Sequence, residues 1–409
     1  MGGLANVIAV TGIGVISPHG DDHEAMFAAL MRGESAIHEL AGDSPNARPA
    51  PVATAAFDPA PWFTPLQLAG VDRVSQLAVA AAQKALTDAN AENACDARRI
   101  GVYVGCGMGG CAAVETAYVF GLRNGRVPPL SVPASMPNAP AAHVAMRVKA
   151  TGPVLTYSVA CASSAVAIGE AAKAIRCGEV DMAIAGGSEA PIAPGSIRAW
   201  QAMQTLALFE PGNAASSCRP FAIERTGFAL GEGAAFLILE SSAHARARGA
   251  RRYAELSGYG LSCDATHLTK PDATGQQAAI RNALAQAGLQ PQDIGYCNAH
   301  GTATRIGDVV ESEALGALWG KDIDRLRVSS TKSMHGHLIG AAGALEAAIT
   351  VLALHRSQLP PNANCDNADP ACRLNLVRNA GESAPGLGAA ISSSFAFGGS
   401  NAVLVFQRT

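Results

Sequence analysis

Apolar runs along the chain alternate with longer segments in which apolar residues recur at helical spacing. Residues 7–15 and 100–105 are apolar and rich in β-branched side chains, which predicts buried strands. Between them, residues 76–89 carry the apolar pattern of a helix that covers one face of a sheet. Strands that alternate with helices in this way predict an α/β protein.

The second part of the chain repeats the pattern of the first. Thr11–Val15 and Ser257–Leu261 share a step of hydroxyl residue, glycine, any residue, glycine and apolar residue, which predicts strands that end in a turn. In each part a predicted helix then leads through a polar linker to an Ile-Gly strand. Such a repeat indicates duplication. We place the seam near Gly249, between halves of residues 1–249 and 250–409.

Composition and charge exclude several classes of protein. The 409 residues are 49% hydrophobic and 15% charged, so the chain can bury a large core in two domains. A net charge of -3 gives no general attraction to nucleic acid. The ten cysteines form no CxxC pair and follow no secretory signal, which favours the reducing cytoplasm. No apolar run predicts a membrane span, because Glu346 interrupts the longest, residues 340–354.

One cysteine stands at a predicted junction between a strand and a helix. Residues 154–160 predict a buried strand, and residues 163–175 predict a helix. Cys161 lies between them, so the positive end of the helix dipole is expected to lower the pKa of its thiol. A cysteine is more often a small buried apolar residue. The junction makes Cys161 a candidate nucleophile.

Two segments of the second half concentrate groups that can transfer protons or hold charge. His300 follows a predicted strand and precedes a glycine, a common active-site position, although a structural histidine is the commoner alternative. Residues 329–346 surround another transition from strand to helix, and they include Lys332, His335, His337 and Glu346. A metal site is the rival interpretation. No cysteine or carboxylate has the spacing of a closed ligand set, so we expect no metal.

A fourth segment, residues 392–401, places paired glycines beside Phe397. Glycines let backbone amides approach a ligand closely, and such a loop can hold an oxyanion. Taken alone, the segment is more typical of a turn between two terminal strands. Its functional interpretation therefore depends on the other three segments.

Together the four segments resemble the β-ketoacyl-acyl carrier protein synthases, in the branch that elongates acyl chains with a Cys-His-His site. The resemblance covers essentially the whole chain, and the motifs come in the family's order: Ala160–Ser163, Asn298–Thr302, Thr331–Ser333, Gly336–His337, Gly340–Gly343 and Phe397–Asn401. It implies a duplicated thiolase-like α/β fold, layered αβαβα with two mixed five-stranded sheets. It also implies a dimer and no cofactor.

The same likeness implies a role for each candidate residue. Cys161 would accept the acyl chain from a carrier-protein thioester, and the amides of Cys161 and Phe397 would hold the oxyanion. His300 and His337 would act on the malonyl thioester, where loss of carbon dioxide leaves an enolate that two N–H donors can stabilise. By the same resemblance, Lys332 would keep a cation near the histidines, with Glu346 and Asp308 as its partners. Phe397 would gate access to Cys161.

Three positions depart from the family's pattern. Ala303 replaces a usual Gly or Ser, and Ala396 stands where the gate loop commonly has glycine, which predicts a stiffer gate. His335 occupies a position where threonine is common. An imidazole so close to His337 is expected to alter the protonation of that histidine or the malonyl pocket.

The resemblance also implies a protein partner and an acyl pocket. Carrier proteins are acidic, so docking needs local cations, and Arg126 is the best single candidate; a solvated arginine without a partner is the alternative. Met108 matches a position that shapes the acyl pocket. The glycine-rich segment around it, residues 105–110, lacks the third glycine and the downstream acid of a dinucleotide-binding loop.

We therefore predict an acyltransferase that condenses an acyl group on Cys161 with malonyl-acyl carrier protein, releasing carbon dioxide and forming a 3-oxoacyl product in fatty-acid or related biosynthesis. The alternatives keep the fold: a ketosynthase subunit of a type II polyketide or aryl-polyene pathway, or a non-catalytic chain-length partner, which the intact Cys-His-His set disfavours. A thiolase would resemble a site with a second cysteine instead of His337. A homodimer and a heterodimer with a related subunit both remain open.

Overall fold

The computed structural model describes residues 7–42 and 47–409. The first half contains the strands β1 (Ile8–Ile16), β2 (His38–Leu40), β3 (Ala50–Ala53), β4 (Ile100–Gly105), β5 (Val154–Tyr157), β6 (Met182–Glu189), β7 (Leu230–Gly231) and β8 (Gly233–Ser241). Its helices are α1 (His23–Met31), α2 (Pro65–Leu68), α3 (Arg73–Ala89), α4 (Cys111–Asn124), α5 (Ser131–Ser135), α6 (Ala139–Val148), α7 (Ser163–Arg176), α8 (Pro194–Ala202) and α9 (Ser242–Ala247).

The second half contains the strands β9 (Ala254–Cys263), β10 (Tyr296–Asn298), β11 (Arg327–Ser329), β12 (Gln358–Leu359), β13 (Asn375–Leu376), β14 (Glu382–Ser383), β15 (Ala389–Phe395) and β16 (Ser400–Gln407). Its helices are α10 (Ala273–Ala287), α11 (Arg305–Trp319), α12 (Lys332–His335) and α13 (Ala342–Arg356). Short 3₁₀ turns occur at Ala97–Arg99, Ala214–Ser216, Pro291–Asp293, Gly320–Arg325 and Ile339–Ala341.

The elements stack in five layers. Helices α7 and α13 form the central layer, because they pack on each other and on strands of both halves. The strands of the first half run in the order β5-β4-β6-β8-β1, with α3 and α6 on their outer side. Those of the second half run β9-β16-β15-β10-β11-β13, with α10 and α11 on their outer side. Three apolar cores fill the spaces between these layers.

The two sets of strands differ in two respects from two separate five-stranded sheets. Strands β1 and β9 pair antiparallel over three residues, at Ile8, Ala9 and Val10, and so join the sets into one eleven-stranded sheet. The second set also includes the two-residue strand β13 at its edge. The layered arrangement is otherwise as predicted, with parallel and antiparallel pairs in each set.

The repeated glycines hold equivalent positions in the two halves. A Cβ on Gly12 would lie 2.3 Å from the carbonyl oxygen of Ala85 in α3, and one on Gly258 would lie 2.2 Å from that of Ala283 in α10. Both glycines lie inside their strands, and the predicted turn follows β1 at Ser17–Gly20 and does not lie at Gly12 itself. Glycine is needed because a helix backbone packs directly on the strand, and the sequence pattern does not distinguish this from a turn.

Strand β5 is an edge strand and not the buried strand that was predicted. Within residues 7–42 and 47–409 it pairs only with β4, and Val154 and Leu155 are 39% and 44% exposed. An apolar edge strand is a template for pairing with another chain, which proteins normally cover or interrupt. Burial within the described residues therefore does not explain the apolar sequence of β5.

One helical segment of the described chain, Ile339–Arg356, is long and apolar enough to cross a membrane. It comprises a 3₁₀ turn and α13, and 89% of the apolar window is buried inside the protein. The segment is thus a core helix, and its apolar character is explained by contacts with strands of both halves.

Candidate active site

Cys161 lies in a tight turn between β5 and α7, close to the predicted position. Ala160 adopts a left-handed conformation with φ of 46°, which is costly for a residue with a side chain. The hydroxyl of Ser163 stabilises the turn by accepting from the amide of Val159 at 2.9 Å and donating to the carbonyl of Ala160 at 2.6 Å. The turn presents the Cys161 thiol to a cavity while the residue stays 6% exposed.

His337 reaches the same cavity from the second half. Its backbone N–H donates to the carbonyl of Ala229 at 2.7 Å, and its carbonyl accepts from the amide of Gly231 at 2.9 Å. These bonds fix the segment after α12 against the first half. The Nε2 atom of the His337 ring lies 3.0 Å from the sulfur of Cys161, within hydrogen-bonding distance.

His300 follows β10, and a carboxylate of α11 holds its backbone. Glu311 accepts from the amides of His300 and Gly301 at 2.8 and 2.7 Å. The rings of His300 and His337 lie edge to face with centroids 5.6 Å apart. The sulfur of Cys161 and one ring nitrogen from each of His300 and His337 all lie within 4.8 Å of one another. Residues from both halves therefore converge as the sequence predicts.

A buried ion pair lies behind the histidines. Lys332 pairs with Glu346, and both side chains are fully buried. The ammonium of Lys332 also lies 3.5 Å from Nδ1 of His300. An ammonium can only donate, so Nδ1 is the acceptor and the neutral ring carries its hydrogen on Nε2. A metal ion at Nε2 of His300 would have to displace that hydrogen, and one at Nδ1 would face the Lys332 cation. The geometry therefore favours hydrogen-bond donation over metal binding.

The pKa of the Cys161 thiol differs from the expectation. Burial raises this pKa to about 12, although the charge of Lys332 and a backbone hydrogen bond from Phe397 act in the opposite direction. The helix start therefore does not supply a resting thiolate, because loss of water outweighs the dipole. Burial, with the charge of Lys332, lowers the pKa of His300 and His337 well below the usual range, so both rings are neutral.

An open cavity of about 960 Å³ surrounds these groups. Cys161, His300, His337 and Phe397 all line it, and Phe397 lies on the loop between β15 and β16. The ring of Phe397 stacks on Trp200 with centroids 6.5 Å apart. Trp200 in turn contacts Phe228, whose ring lies edge to face with His337 at 5.1 Å. This aromatic wall joins the predicted gate to the histidine.

Sequence reasoning assigned the wrong carboxylate of α11 to the site. Asp308 was expected beside Lys332, but its oxygen accepts from the amide of Phe221 at 2.7 Å and lies 3.7 Å from Arg225. Glu311 is the α11 carboxylate that contacts the histidine segment. Glu311 lies three residues after Asp308, nearly one helical turn along α11. The sequence therefore predicts a carboxylate of α11 near the site but does not show which of the two turns of the helix contacts the histidine segment.

Two further predicted residues lie away from the reactive atoms. Met108 lines a second cavity of about 440 Å³ with residues of α4, and its amide donates to Glu189 at 3.1 Å. Arg126 is exposed in the loop after α4, and it is absent from the residues that line the main cavity in the described chain. The structure therefore brings neither residue into contact with Cys161.

The three departures from the family's pattern have distinct structural settings. Ala303 is buried with a left-handed φ of 59°, a conformation that glycine adopts more easily. Ala396 does not require glycine, because the left-handed residues of this loop are Gly398 and Gly399. His335 is turned away from His337: its ring nitrogens contact the carbonyl of Gly336 and the hydroxyl of Thr331.

Comparison with known proteins gives matches along the chain. The N-terminal domain of the β-ketoacyl synthases matches residues 5–245, and the C-terminal domain of the same family matches residues 253–366. Nodulation protein E of Rhizobium sp. (strain N33) is 40% identical over 407 residues, covering 98% of this chain and 99% of the relative. The 3-oxoacyl-[acyl-carrier-protein] synthase 2 of Rhizobium meliloti (strain 1021) is 37% identical over 417 residues, with 98% of each chain covered.

A solved structure confirms the fold. The ketosynthase of a type II polyketide synthase, in complex with its acyl-carrier protein, superposes with a TM-score of 0.91 at 30% identity, covering 99% of this chain and 100% of the other. The predictions of a thiolase-like ketosynthase fold and of an acyltransferase are thus confirmed. Two matched domains and relatives of full length show that the chain belongs to the β-ketoacyl synthase family.

Proposed function

We propose that the chain condenses an acyl group on Cys161 with malonyl-acyl carrier protein, releasing carbon dioxide and forming 3-oxoacyl-acyl carrier protein. The observation that carries this proposal is the convergence in one cavity of a thiol, two neutral imidazoles and a loop amide. The contact of 3.0 Å between Cys161 and His337 places a proton acceptor at the nucleophile.

The first step is transfer of the acyl group from its carrier. As the sulfur of Cys161 attacks the thioester carbon, its proton moves to Nε2 of His337, which the short contact permits. The amides of Cys161 and Phe397 face the sulfur and can hold the oxyanion. The carrier thiolate then leaves and takes the proton back from His337. The acyl chain is now on Cys161, and the carrier carries a free thiol.

The second step uses the malonyl thioester. The C–C bond to its carboxylate breaks, carbon dioxide leaves, and the electron pair moves to the α carbon and thioester oxygen. The Nε2–H of His300, which Lys332 favours, can stabilise that oxygen. The acylated sulfur no longer donates to Nε2 of His337, so the hydrogen of that neutral ring can move from Nδ1 to Nε2 and supply the second N–H. The α carbon then attacks the acyl carbonyl on Cys161, and the Cys161 thiolate leaves and takes a proton from water, because the release of carbon dioxide consumes one proton overall. The product is a 3-oxoacyl thioester on the carrier.

The function can be tested by mass measurement of the intact protein. After incubation with a panel of acyl-loaded carrier proteins, we expect a mass increase of one acyl group on Cys161, located by peptide mapping. Addition of malonyl-carrier should discharge that group and form the 3-oxoacyl carrier product. A chain that loads no acyl group from any carrier, under conditions where it is folded, would contradict the proposal.

The cavity rim supports an acidic carrier as partner. Three exposed cations line it: Arg48, Lys270 and Arg305. The carboxylate among the described lining residues, Glu311, is buried and accepts hydrogen bonds from backbone amides. Such a cationic rim complements the acidic surface of a carrier protein. We keep Arg126, in the exposed loop after α4, as a second docking candidate and Met108 as a residue of the acyl pocket.

We further propose that the chain dimerises through α4 and β5, either with its own copy or with a related subunit. Large apolar side chains are exposed along this face: Val114, Tyr118, Val119, Phe120, Leu122, Val154 and Leu155. An apolar patch beside an unpaired edge strand is typical of a protein interface. The second cavity, with Met108, opens on the α4 part of this face.

We predict that Leu122→Lys shifts the chain from dimer to monomer in sedimentation experiments. The charge would be buried without a partner at the proposed interface. Leu66→Lys is the matched control, because Leu66 lies on α2 and both leucines are 86% exposed. If the wild type alone is monomeric, a related subunit is required. Equal dimerisation of both variants would place the interface elsewhere.

A type II polyketide ketosynthase is the second candidate function, favoured by the likeness to the solved ketosynthase of that class. The chemistry at Cys161 is the same in both cases, and the primer accepted in the mass measurement separates them. We place the enzyme in the cytoplasm, because all ten cysteines are free. We also keep the seam between the two halves near Gly249.

A further inference from the structure

His335 is buried beside the active site but does not face its cavity. The side chain is 1% exposed, and it ends the single helical turn α12 that begins with Lys332. Its Nδ1 atom lies 2.8 Å from the carbonyl oxygen of Gly336, and Nε2 lies 2.9 Å from the hydroxyl of Thr331. The ring therefore bridges the residues at the two ends of α12.

The hydrogen-bond roles of this ring are set by its partners. A carbonyl oxygen only accepts, so Nδ1 of His335 carries the hydrogen and donates to Gly336. The neutral ring then accepts from the Thr331 hydroxyl at Nε2. Burial lowers the pKa of His335 well below its usual range, which agrees with a neutral ring. Both nitrogens are satisfied, so one tautomer and one ring orientation are favoured.

The peptide held by His335 is the one that enters His337. Its carbonyl, on Gly336, accepts from His335, and its N–H, on His337, donates to Ala229 at 2.7 Å. A peptide unit is planar, so two bonds at opposite edges fix its orientation. Gly336 has φ of 69° and no Cβ, and it therefore supplies little restraint of its own.

We propose that His335 is a positioning residue for His337: through the Gly336 carbonyl it sets the direction in which the His337 ring meets Cys161 and the malonyl group. The inference rests on the proposed function and adds a residue to it. Single turns are weakly stable by themselves, so the contact of the His335 ring with the Gly336 carbonyl, just after α12, strongly influences the orientation of the next residues. Loss of this contact should slow both acyl loading and the malonyl step, because His337 acts in both.

Asparagine and glutamine at position 335 separate the two contacts. An asparagine amide nitrogen can occupy the place of Nδ1, so His335→Asn can keep the donor to Gly336. The longer glutamine places its amide near Nε2, so His335→Gln reaches Thr331 and leaves the Gly336 carbonyl without its donor. Thr331→Val is the complementary control, because it removes the hydroxyl contact and keeps His335.

Release of carbon dioxide from malonyl-carrier is measured on the full chain, together with intact-mass acyl loading of Cys161 and thermal unfolding. We expect His335→Gln to lower kcat for decarboxylation about tenfold at little change in KM, since small misplacements of catalytic groups are costly. His335→Asn and Thr331→Val should stay within about threefold of wild type by the same argument.

The outcomes separate this inference from the function it rests on. Equal losses in the Asn and Gln variants, or a loss with Thr331→Val as large as with Gln, would overturn the positioning role. Full activity in the Gln variant would also overturn it. If the Gln variant does not fold, the His335→Asn variant alone decides the test. A loss of decarboxylation in that variant, with thermal unfolding as in wild type, contradicts the positioning role of His335. Failure of the wild type to load an acyl group would instead refute the proposed function.

Discussion

Cys161→Ala is expected to abolish acyl loading while malonyl-carrier decarboxylation continues. The sulfur is the atom that forms the acyl bond, and no other cysteine is among the residues that line the main cavity in the described chain. His300, His337 and the Lys332–Glu346 pair do not need the sulfur to hold their positions. The groups that act on the malonyl thioester therefore remain, and the two half-reactions should separate.

The measurements for this variant are intact mass after incubation with an acyl-carrier and carbon dioxide release from malonyl-carrier. Cys218→Ala is the matched control, because burial raises the pKa of that thiol to about 12 as well and its side chain is also buried. The control should load normally. Acyl loading of Cys161→Ala would assign the nucleophile to another residue and refute the mechanism.

The layered fold and the convergence of the site could be predicted because local patterns determine them. Duplication is predicted by the apolar periodicity of α3 and α10 together with the repeated glycines. The nucleophile is predicted by the strand-to-helix turn at Cys161. Each of these signals lies within a few residues of sequence. The strands, helices and motif positions agree with them, with boundary shifts of a few residues.

The missed features depend on contacts between distant segments. The exposure of β5 was not predictable because an apolar edge strand has the same sequence pattern as a buried strand. The raised pKa of Cys161 reflects burial by both halves, which a helix start does not show. Trp200 and Phe228 reach the cavity from separate loops and helices, so their sequence neighbours carry no catalytic pattern.

Lys332→Met is expected to destabilise the protein and to slow decarboxylation, and the two effects should be separable. The substitution leaves Glu346 buried without its cation, and removal of one partner from a buried pair typically costs about 3–5 kcal/mol. It also removes the ammonium from Nδ1 of His300. Without that contact the hydrogen of the neutral ring is free to move to Nδ1, which removes the Nε2 donor.

The loss of stability should depend on pH in a defined direction. Burial raises the pKa of Glu346 to about 7, above the value of an unfolded glutamate, and loss of Lys332 raises it further. A raised acid pKa means that the folded chain binds more protons than the unfolded chain, so stability falls as pH rises from about 4.3. In Lys332→Met the deficit should therefore be smaller at pH 6 than at pH 8, as measured by denaturant unfolding.

The double variant Lys332→Met, Glu346→Leu separates structure from catalysis. An apolar pair of similar volume can replace a buried ion pair with little loss of stability, so unfolding should return toward wild type. Decarboxylation should stay low, because His300 still lacks the cation that keeps its hydrogen on Nε2. Recovery of both stability and decarboxylation would show that Lys332 only supports the fold. Recovery of stability alone would locate its catalytic contribution at His300.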